Sequence, residues 1–171
     1  MFSENENRIF IGVGANLASA LYDSPLETCR AALREVEKSG VRVLSRSRFF
    51  ESAPVPVSDQ PWYVNAVAEI ASSFSAEDTL AILHGIEDRF GRVRRVRNEA
   101  RVLDLDLLAF GNTVSERDGG LVLPHPRMHQ RAFVLLPLLD IAADWRHPVT
   151  GMLVTEMIAA LPADQICRPC A

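Results

Sequence analysis

The chain has 171 residues, of which 48% are hydrophobic and 23% charged, with a formal net charge of -4. That length supports one domain with a sizeable core. No apolar run approaches the ~18 residues a membrane helix needs, and the acidic balance argues against wholesale nucleic-acid binding. Met1 to Asn7 is polar and acidic and reads as a frayed tail, neither signal nor transit peptide. The expectation is a single domain over residues 1–171, loose at 1–7 and at about 163–171, monomeric and cytoplasmic. Of the three cysteines, Cys29 falls on the apolar face of a predicted helix. Cys167 and Cys170 form a C-x-x-C, half a zinc site without a second half in the sequence.

In chain order, Ile9-Phe10-Ile11 starts a short apolar strand running into Gly12-Val13-Gly14-Ala15-Asn16-Leu17. A dinucleotide fingerprint would need a third glycine that is missing, so the glycines read as a tight turn. Ser24-Pro25-Leu26-Glu27 carries an N-cap serine, proline at the first helical position and glutamate three residues after the cap. Leu26, Cys29, Leu33 and Val36 then give one apolar helix face, and Gly40 stops it. Val41 to Ser52 reads as a strand, Ala53 to Pro61 as a proline-rich loop, and Tyr63 to Ser73 as a second strand. Ser75 caps another helix, with Leu80, Leu83, Ile86 and Phe90 on its apolar face and Gly91 at its end. After an arginine-rich loop come a strand ending at Gly111-Asn112, a short strand Leu121 to Leu123, and helices over Gln130 to Ala142 and Thr155 to Leu161. The order strand, helix, strand, strand, helix, strand predicts an α+β fold with a ferredoxin-like βαββαβ core. Its antiparallel sheet would carry helices on one face, with extra C-terminal elements.

Chemistry concentrates in Arg101-Val102-Leu103-Asp104-Leu105-Asp106-Leu107-Leu108. Period-two alternation puts Leu103, Leu105 and Leu107 on one strand face and Asp104 and Asp106 on the other, about 7 Å apart. Carboxylates that close repel unless a cation sits between them, and Asp is disfavoured in strands. The alternation by itself fits a divalent metal site or a half-buried strand with a wet acidic face. Arg92, Arg94, Arg95, Arg97 and Arg101 lie directly before it. Arginines beside paired acids suit a polyphosphate with Mg²⁺ better than RNA, whose phosphates the acids would repel. A second polar cluster, Pro124-His125-Pro126-Arg127-Met128-His129-Gln130-Arg131, precedes a predicted helix. Cations at a helix N-terminus oppose the macrodipole, which a bound anion would explain. Tyr63 and Asn65 share a strand face, and with Phe133 they suit a flat heterocycle.

These residues together resemble the hydroxymethyldihydropterin pyrophosphokinase family, from about Ile9 to Leu161. The markers are Gly14-Ala15-Asn16-Leu17, Gln60-Pro61-Trp62-Tyr63-Val64-Asn65, Gly91-Arg92-Val93-Arg94, Arg101-Val102-Leu103-Asp104-Leu105-Asp106, and Pro124-His125-Pro126-Arg127-Met128 with Arg131 and Phe133. The resemblance implies a ferredoxin-like fold and transfer of a pyrophosphoryl group from ATP to a pterin hydroxymethyl group in folate biosynthesis, releasing AMP. It implies Asp104 and Asp106 as ligands of two Mg²⁺ ions, and Arg92 and Arg101 stabilising the transferring phosphates. Arg94, His125 and Arg131 would contact ATP, with His84, Glu87 and Leu107 at further nucleotide-contact positions. Tyr63 and Phe133 would sandwich the pterin, Asn65 would bind its edge, and Ser52 and Val55 would line its pocket. Three positions differ: Asn98-Glu99-Ala100 replaces an aromatic and a Gly-Pro pair common in the family, Ala15 replaces serine, and Pro126 stands where some members have tyrosine.

Two other classes compete. A D-x-D nucleotidyltransferase would carry a Gly-Ser turn and helix before the acidic strand, where an arginine-rich loop stands instead. A ferredoxin-like RNA-binding module would need exposed sheet aromatics for base stacking, and the strands supply mainly Tyr63.

Overall fold

The computed structural model describes residues 5–91, 102–118 and 120–171. Its centre is β1 (Ile9–Ala15), paired antiparallel on one side with β4 (Tyr63–Ala71) and on the other with β5 (Asp104–Phe110). The far edge of β4 is shared in succession by β2 (Arg42–Arg46) and β3 (Phe50–Ser52), and β8 (Cys167–Pro169) adds to β3. The result is a six-stranded antiparallel sheet. A two-stranded ribbon of β6 (Ser115–Glu116) and β7 (Val122–Leu123) stands apart from it. The expected single strand Val41 to Ser52 is broken at Ser47. There the backbone N–H donates to the Val67 carbonyl (2.9 Å) while the Ser47 hydroxyl accepts from the Val67 N–H (3.0 Å).

The first face of the sheet carries α1 (Pro25–Lys38) and α2 (Ala76–Arg89), each capped as its sequence demands. Ser24 Oγ accepts from the Glu27 N–H (3.2 Å) and Ser75 Oγ from the Asp78 N–H (3.0 Å). Gly40 and Gly91, at φ 92° and 83°, stop the two helices. Cys29, Leu33, Val36, Leu83 and Ile86 close on Ile9, Ile11, Val13, Leu103, Leu105 and Leu107. Each such side chain contributes about 1.5–3 kcal/mol by leaving water, so this layer fixes which strand face turns inward.

The helices of the predicted core lie on one face, as expected, and the extra C-terminal elements cover the other. α3 (Ala132–Ala142) and α4 (Val154–Ala159) pack on the second face against Phe10, Val67, Leu108 and Ala109, with Trp145 and Met157. A bulge makes this possible. Phe10 pairs with Ala109 and Ile11 with Leu107, so Leu108 is the extra residue and both it and Ala109 join the second core. Arg8 ties α3 down through Glu69 (2.9 Å), Asp144 (3.1 Å) and the Ile141 carbonyl (3.2 Å).

Three further expectations are corrected. The glycines Gly12 and Gly14 lie within β1 rather than in a turn. The helix expected from Gln130 instead begins as a 3₁₀ turn, Met128–Gln130, and α3 starts only after an extended Arg131 (φ -120°, ψ 114°). Within the segments expected to be loose, described residues are held in place: Asn5 is buried and donates to the Arg146 carbonyl (2.7 Å), and β8 is a paired strand.

Candidate active site

α3 covers only part of the second face. The uncovered end holds a cavity of about 180 Å³ lined by Gly14, Ser52, Ala53, Pro54, Val55, Pro56, Ser58, Gln60, Tyr63, Asn65, Asp104, Arg131 and Phe133. Its floor is one row across the sheet: Phe50 pairs with Asn65, Asn65 with Gly14, and Gly14 with Asp104. All these residues belong to the side of the sheet on which period-two alternation places Asp104 and Asp106. Asp106 lies one row further in, opposite Gly12 and Val67.

Gly14 is the spacer of this row. A Cβ there would sit 2.9 Å from Asn65 Oδ1, so only glycine lets the amide lie flat against β1. Asn65 is 5% exposed and donates from Nδ2 to Ser52 Oγ (2.8 Å). That bond fixes which way the amide faces. At the rim, Gln60 Oε1 accepts from Asn16 Nδ2 (3.3 Å) and from the Tyr63 hydroxyl (3.4 Å). Across the cavity the Arg131 guanidinium stands over the Phe133 ring, 5.3 Å from its centroid. The chamber therefore offers an amide on its floor, two aromatics on its walls, and a carboxylate and a guanidinium at its mouth.

His125 stands beside this mouth. Its backbone N–H donates to the Leu108 carbonyl (2.8 Å), which pins the loop to β5, and its Nδ1 accepts from the Arg127 N–H (3.2 Å). Burial, then the charges of Arg131 and Arg127, push its pKa down to about 4, against a smaller opposing pull from Asp104. At neutral pH the ring is therefore uncharged, with Nδ1 an acceptor and Nε2 a donor. It offers a hydrogen bond to an anion and no positive charge.

The sequence-derived pterin residues Ser52, Val55, Tyr63, Asn65 and Phe133 line one cavity, together with Asp104 and Arg131. Asp106 and His125 stand next to it. Arg92, Arg94 and Arg101 lie outside the described residues. Glu87 and Leu107, expected as nucleotide contacts, do not line this cavity. The Leu107 side chain is buried in the first-face core, opposite the cavity. Glu87 is 0% exposed and accepts the Leu105 N–H at 2.7 Å. Among the described residues β5 ends the strand order, so its outward N–H groups have no ladder partner there, and Glu87 takes one of them. His84 is half-buried on α2 and does not line the cavity. The sequence reading missed the role of Gly14. Its signal was a glycine inside a strand, the mark of a close backbone approach.

The donor set fits Mg²⁺. Asp104 and Asp106 are both half-buried and two residues apart on one strand face. Mg²⁺ takes oxygen ligands and is commonly held by one or two carboxylates plus substrate phosphates. Among the described residues no group of three or more His, Cys, Asp or Glu is placed to hold an ion. Two carboxylates would leave the remaining positions of such an ion to a ligand's own oxygens. Among the described residues, no helix is long and apolar enough to cross a membrane.

A family model described as 7,8-dihydro-6-hydroxymethylpterin-pyrophosphokinase matches residues 10–143. The chain is 39% identical over 150 residues to the 2-amino-4-hydroxy-6-hydroxymethyldihydropteridine pyrophosphokinase of Haemophilus influenzae, covering 87% of this chain and 89% of that one. It is 35% identical over 154 residues to the folic acid synthesis protein fol1 of Pneumocystis carinii, covering 90% of this chain but only 20% of that longer protein. The crystal structure of a Plasmodium falciparum HPPK-DHPS triple mutant shares the fold, with a TM-score of 0.69 at 13% identity, covering 90% of this chain and 44% of that one. With the match spanning the strands and helix that build the cavity, the chain belongs to the 7,8-dihydro-6-hydroxymethylpterin-pyrophosphokinase family.

Proposed function

We propose that this protein transfers a pyrophosphoryl group from ATP to the hydroxymethyl group of 6-hydroxymethyl-7,8-dihydropterin, releasing AMP, as a step of folate biosynthesis. The single observation that carries the reading is the cross-strand row Asn65–Gly14–Asp104. It sets a buried amide, which can read the edge of a flat heterocycle, beside a carboxylate at the cavity mouth. The pterin lies between Tyr63 and Phe133, with Asn65 on its edge and Ser52 and Val55 against it, and its hydroxymethyl group points toward Asp104. The same placement supports the ferredoxin-like reading of the core, since the strand order β5-β1-β4 followed by β2 and β3 is that of a split βαββαβ unit.

Asp104 and Asp106 would hold two Mg²⁺ ions, which supply positive charge against the triphosphate and favour the ionised hydroxyl. The pterin oxygen forms a bond to the β-phosphorus of ATP. The bond from that phosphorus to the bridging oxygen of AMP breaks, and the hydroxyl proton leaves to solvent. Neutral His125 donates from Nε2 to a phosphate oxygen, and Arg131 contributes charge at the mouth. Arg92, Arg94 and Arg101, outside the described residues, complete the cationic side by their match to the family's arginines. The protein acts on small molecules as a monomer in the cytoplasm, and Glu87 supports the strand that bears the aspartates instead of touching ATP.

The test is a product assay with ATP, Mg²⁺ and the hydroxymethyl pterin. AMP is expected, falling by at least ~10³-fold in Asp104→Ala. Formation of ADP or of free pyrophosphate in its place, or full activity in Asp104→Ala, refutes the assignment.

A further inference from the structure

The segment Gln165–Cys170 touches both walls of the cavity without lining it. On one side, Gln165 Oε1 accepts from the Ala132 N–H (2.8 Å) and Gln165 Nε2 donates to the Gln130 carbonyl (2.7 Å). These two backbone groups flank Arg131, the extended residue at which the 3₁₀ turn and α3 part. α3 has no side-chain cap of its own at Arg131. Gln165 therefore satisfies one of the helix's open N–H groups and one carbonyl of the preceding turn at once. Arg131 and Phe133 are displayed from this joint.

On the other side, β8 pairs with β3 in the register Ser52 to Cys167 and Glu51 to Arg168. The Ile166 carbonyl accepts from the Ala53 N–H (3.1 Å), at the start of the loop that forms the second wall. Arg168 bonds Glu51 through Nε and lays its guanidinium over the Trp62 ring, 5.1 Å from its centroid. Trp62 is the residue before Tyr63. Glu51 and Trp62 thus anchor the two ends of the Ala53–Pro61 loop, and Arg168 touches both.

We infer that the segment Gln165–Cys170 is a strap that sets the spacing between the two walls of the pterin slot, with Gln165 and Arg168 as positioning residues. This rests on the pterin reading above. The strap is built to act on geometry more than on core stability: Ile166 is 53% exposed, and the Arg168 side chain is 64% exposed. Its hold on the walls consists of hydrogen bonds, the Arg168–Glu51 ion pair and one cation–ring contact, with Cys170 packed against the first core. Removing one of them leaves the two hydrophobic cores intact and widens the range of wall positions the free protein samples. A slot that is correctly spaced for only part of the time binds its ligand more weakly by that fraction.

The experiment compares the full chain with Gln165→Ala, Gln165→Glu and Arg168→Ala. It measures kcat, KM for the pterin and KM for ATP, together with hydrogen exchange at the Ala132 and Ala53 amides. Gln165→Ala is expected to raise the pterin KM about fivefold, the usual scale of losing a helix cap, with kcat within about twofold and a smaller rise in the ATP KM, because Arg131 stands on the same joint. Gln165→Glu keeps the acceptor for the Ala132 N–H and loses the donor to the Gln130 carbonyl, so it protects the Ala132 amide better than Gln165→Ala while recovering only part of the pterin KM. Arg168→Ala raises the pterin KM and speeds exchange at Ala53 while leaving Ala132 protected. Equal changes in both KM values, an Ala132 amide no better protected in Gln165→Glu than in Gln165→Ala, or an unchanged pterin KM overturns the proposal. If the unmodified protein neither binds pterin nor forms AMP, the pterin reading fails. The strap is then judged by exchange alone: faster exchange at Ala132 in Gln165→Ala supports it, and unchanged protection overturns it.

Discussion

Replacing Gly14 by alanine separates the stability of the sheet from the function of its cavity. The added Cβ would meet Asn65 Oδ1 at 2.9 Å and the Val64 carbonyl at 3.7 Å. The second contact is ordinary; the first requires the amide to retreat by about 0.5 Å to reach normal van der Waals separation. Asn65 has little room to do so, being 5% exposed and tied to Ser52 at 2.8 Å. Either that bond lengthens or the amide plane rotates. In stability terms the loss is about 1 kcal/mol for one net hydrogen bond, offset by about 0.4–1 kcal/mol from the lower backbone entropy of an unfolded chain carrying alanine. Thermal melting should therefore shift by only a few degrees, since about 1 kcal/mol moves the midpoint of a domain this size by roughly 2–4 °C. The pterin edge, by contrast, meets a rotated amide and loses about 1–3 kcal/mol of aligned hydrogen bonding, which is roughly a 5- to 150-fold fall in kcat/KM for the pterin. The assay pairs steady-state kinetics with a melting curve on the same preparation. An unchanged pterin KM in a folded Gly14→Ala protein would refute the reasoning, because the Asn65 amide would then not be what reads the substrate.

Two further outcomes test other parts of the structure. Glu87→Ala strips the Leu105 N–H of its partner and leaves a void beside β5, so urea unfolding should report a loss of about 2–4 kcal/mol; Glu87→Gln, which keeps an acceptor oxygen, should lose less, and equal stability of all three proteins would contradict the supporting role. His147 is buried, its Nδ1 accepts the N–H groups of Val149 (3.2 Å) and Thr150 (3.3 Å), and burial first, then nearby His129, push its pKa from 6.5 down to about 4. The folded state thus binds this proton less readily than the unfolded state. The contribution to stability is complete above pH 6.5 and is lost as the pH falls toward 4, on the order of 2–3 kcal/mol. Urea midpoints at pH 7 and 4.5 should converge in His147→Gln relative to the unmodified protein; an equal acid loss in both would show that His147 is not the group responsible.

Much of the fold was legible because local chemistry decides it. Ser24-Pro25 and Ser75 start helices through the hydrogen-bonding needs of the first turn, whatever lies around them. Period-two alternation placed Leu103, Leu105 and Leu107 against one core and Asp104 and Asp106 on the opposite face, since the strand pleat leaves no other choice. Tyr63, Asn65 and Phe133 stand out in the sequence as a set for a flat ring, the family resemblance adds Ser52 and Val55, and all five line one cavity.

What the sequence could not settle depends on partners distant along the chain. Glu87 stands in the sequence only as a nucleotide-contact position implied by the family, and its bond to the Leu105 N–H shows once β5 is laid beside it. Gly14 reads as a turn residue until Asn65 occupies the space a Cβ would need. The second layer of helices exists because a single extra residue, Leu108, shifts the phase of β5 and turns more apolar surface outward. The break before α3 is held by Gln165, 33 residues from Ala132 in the chain. Local sequence thus determined the elements and the faces they present, because caps and pleats are satisfied within a few residues. Tertiary structure alone decided how far the helices cover the second face, and hence where the cavity opens, because that depends on which distant groups satisfy one another.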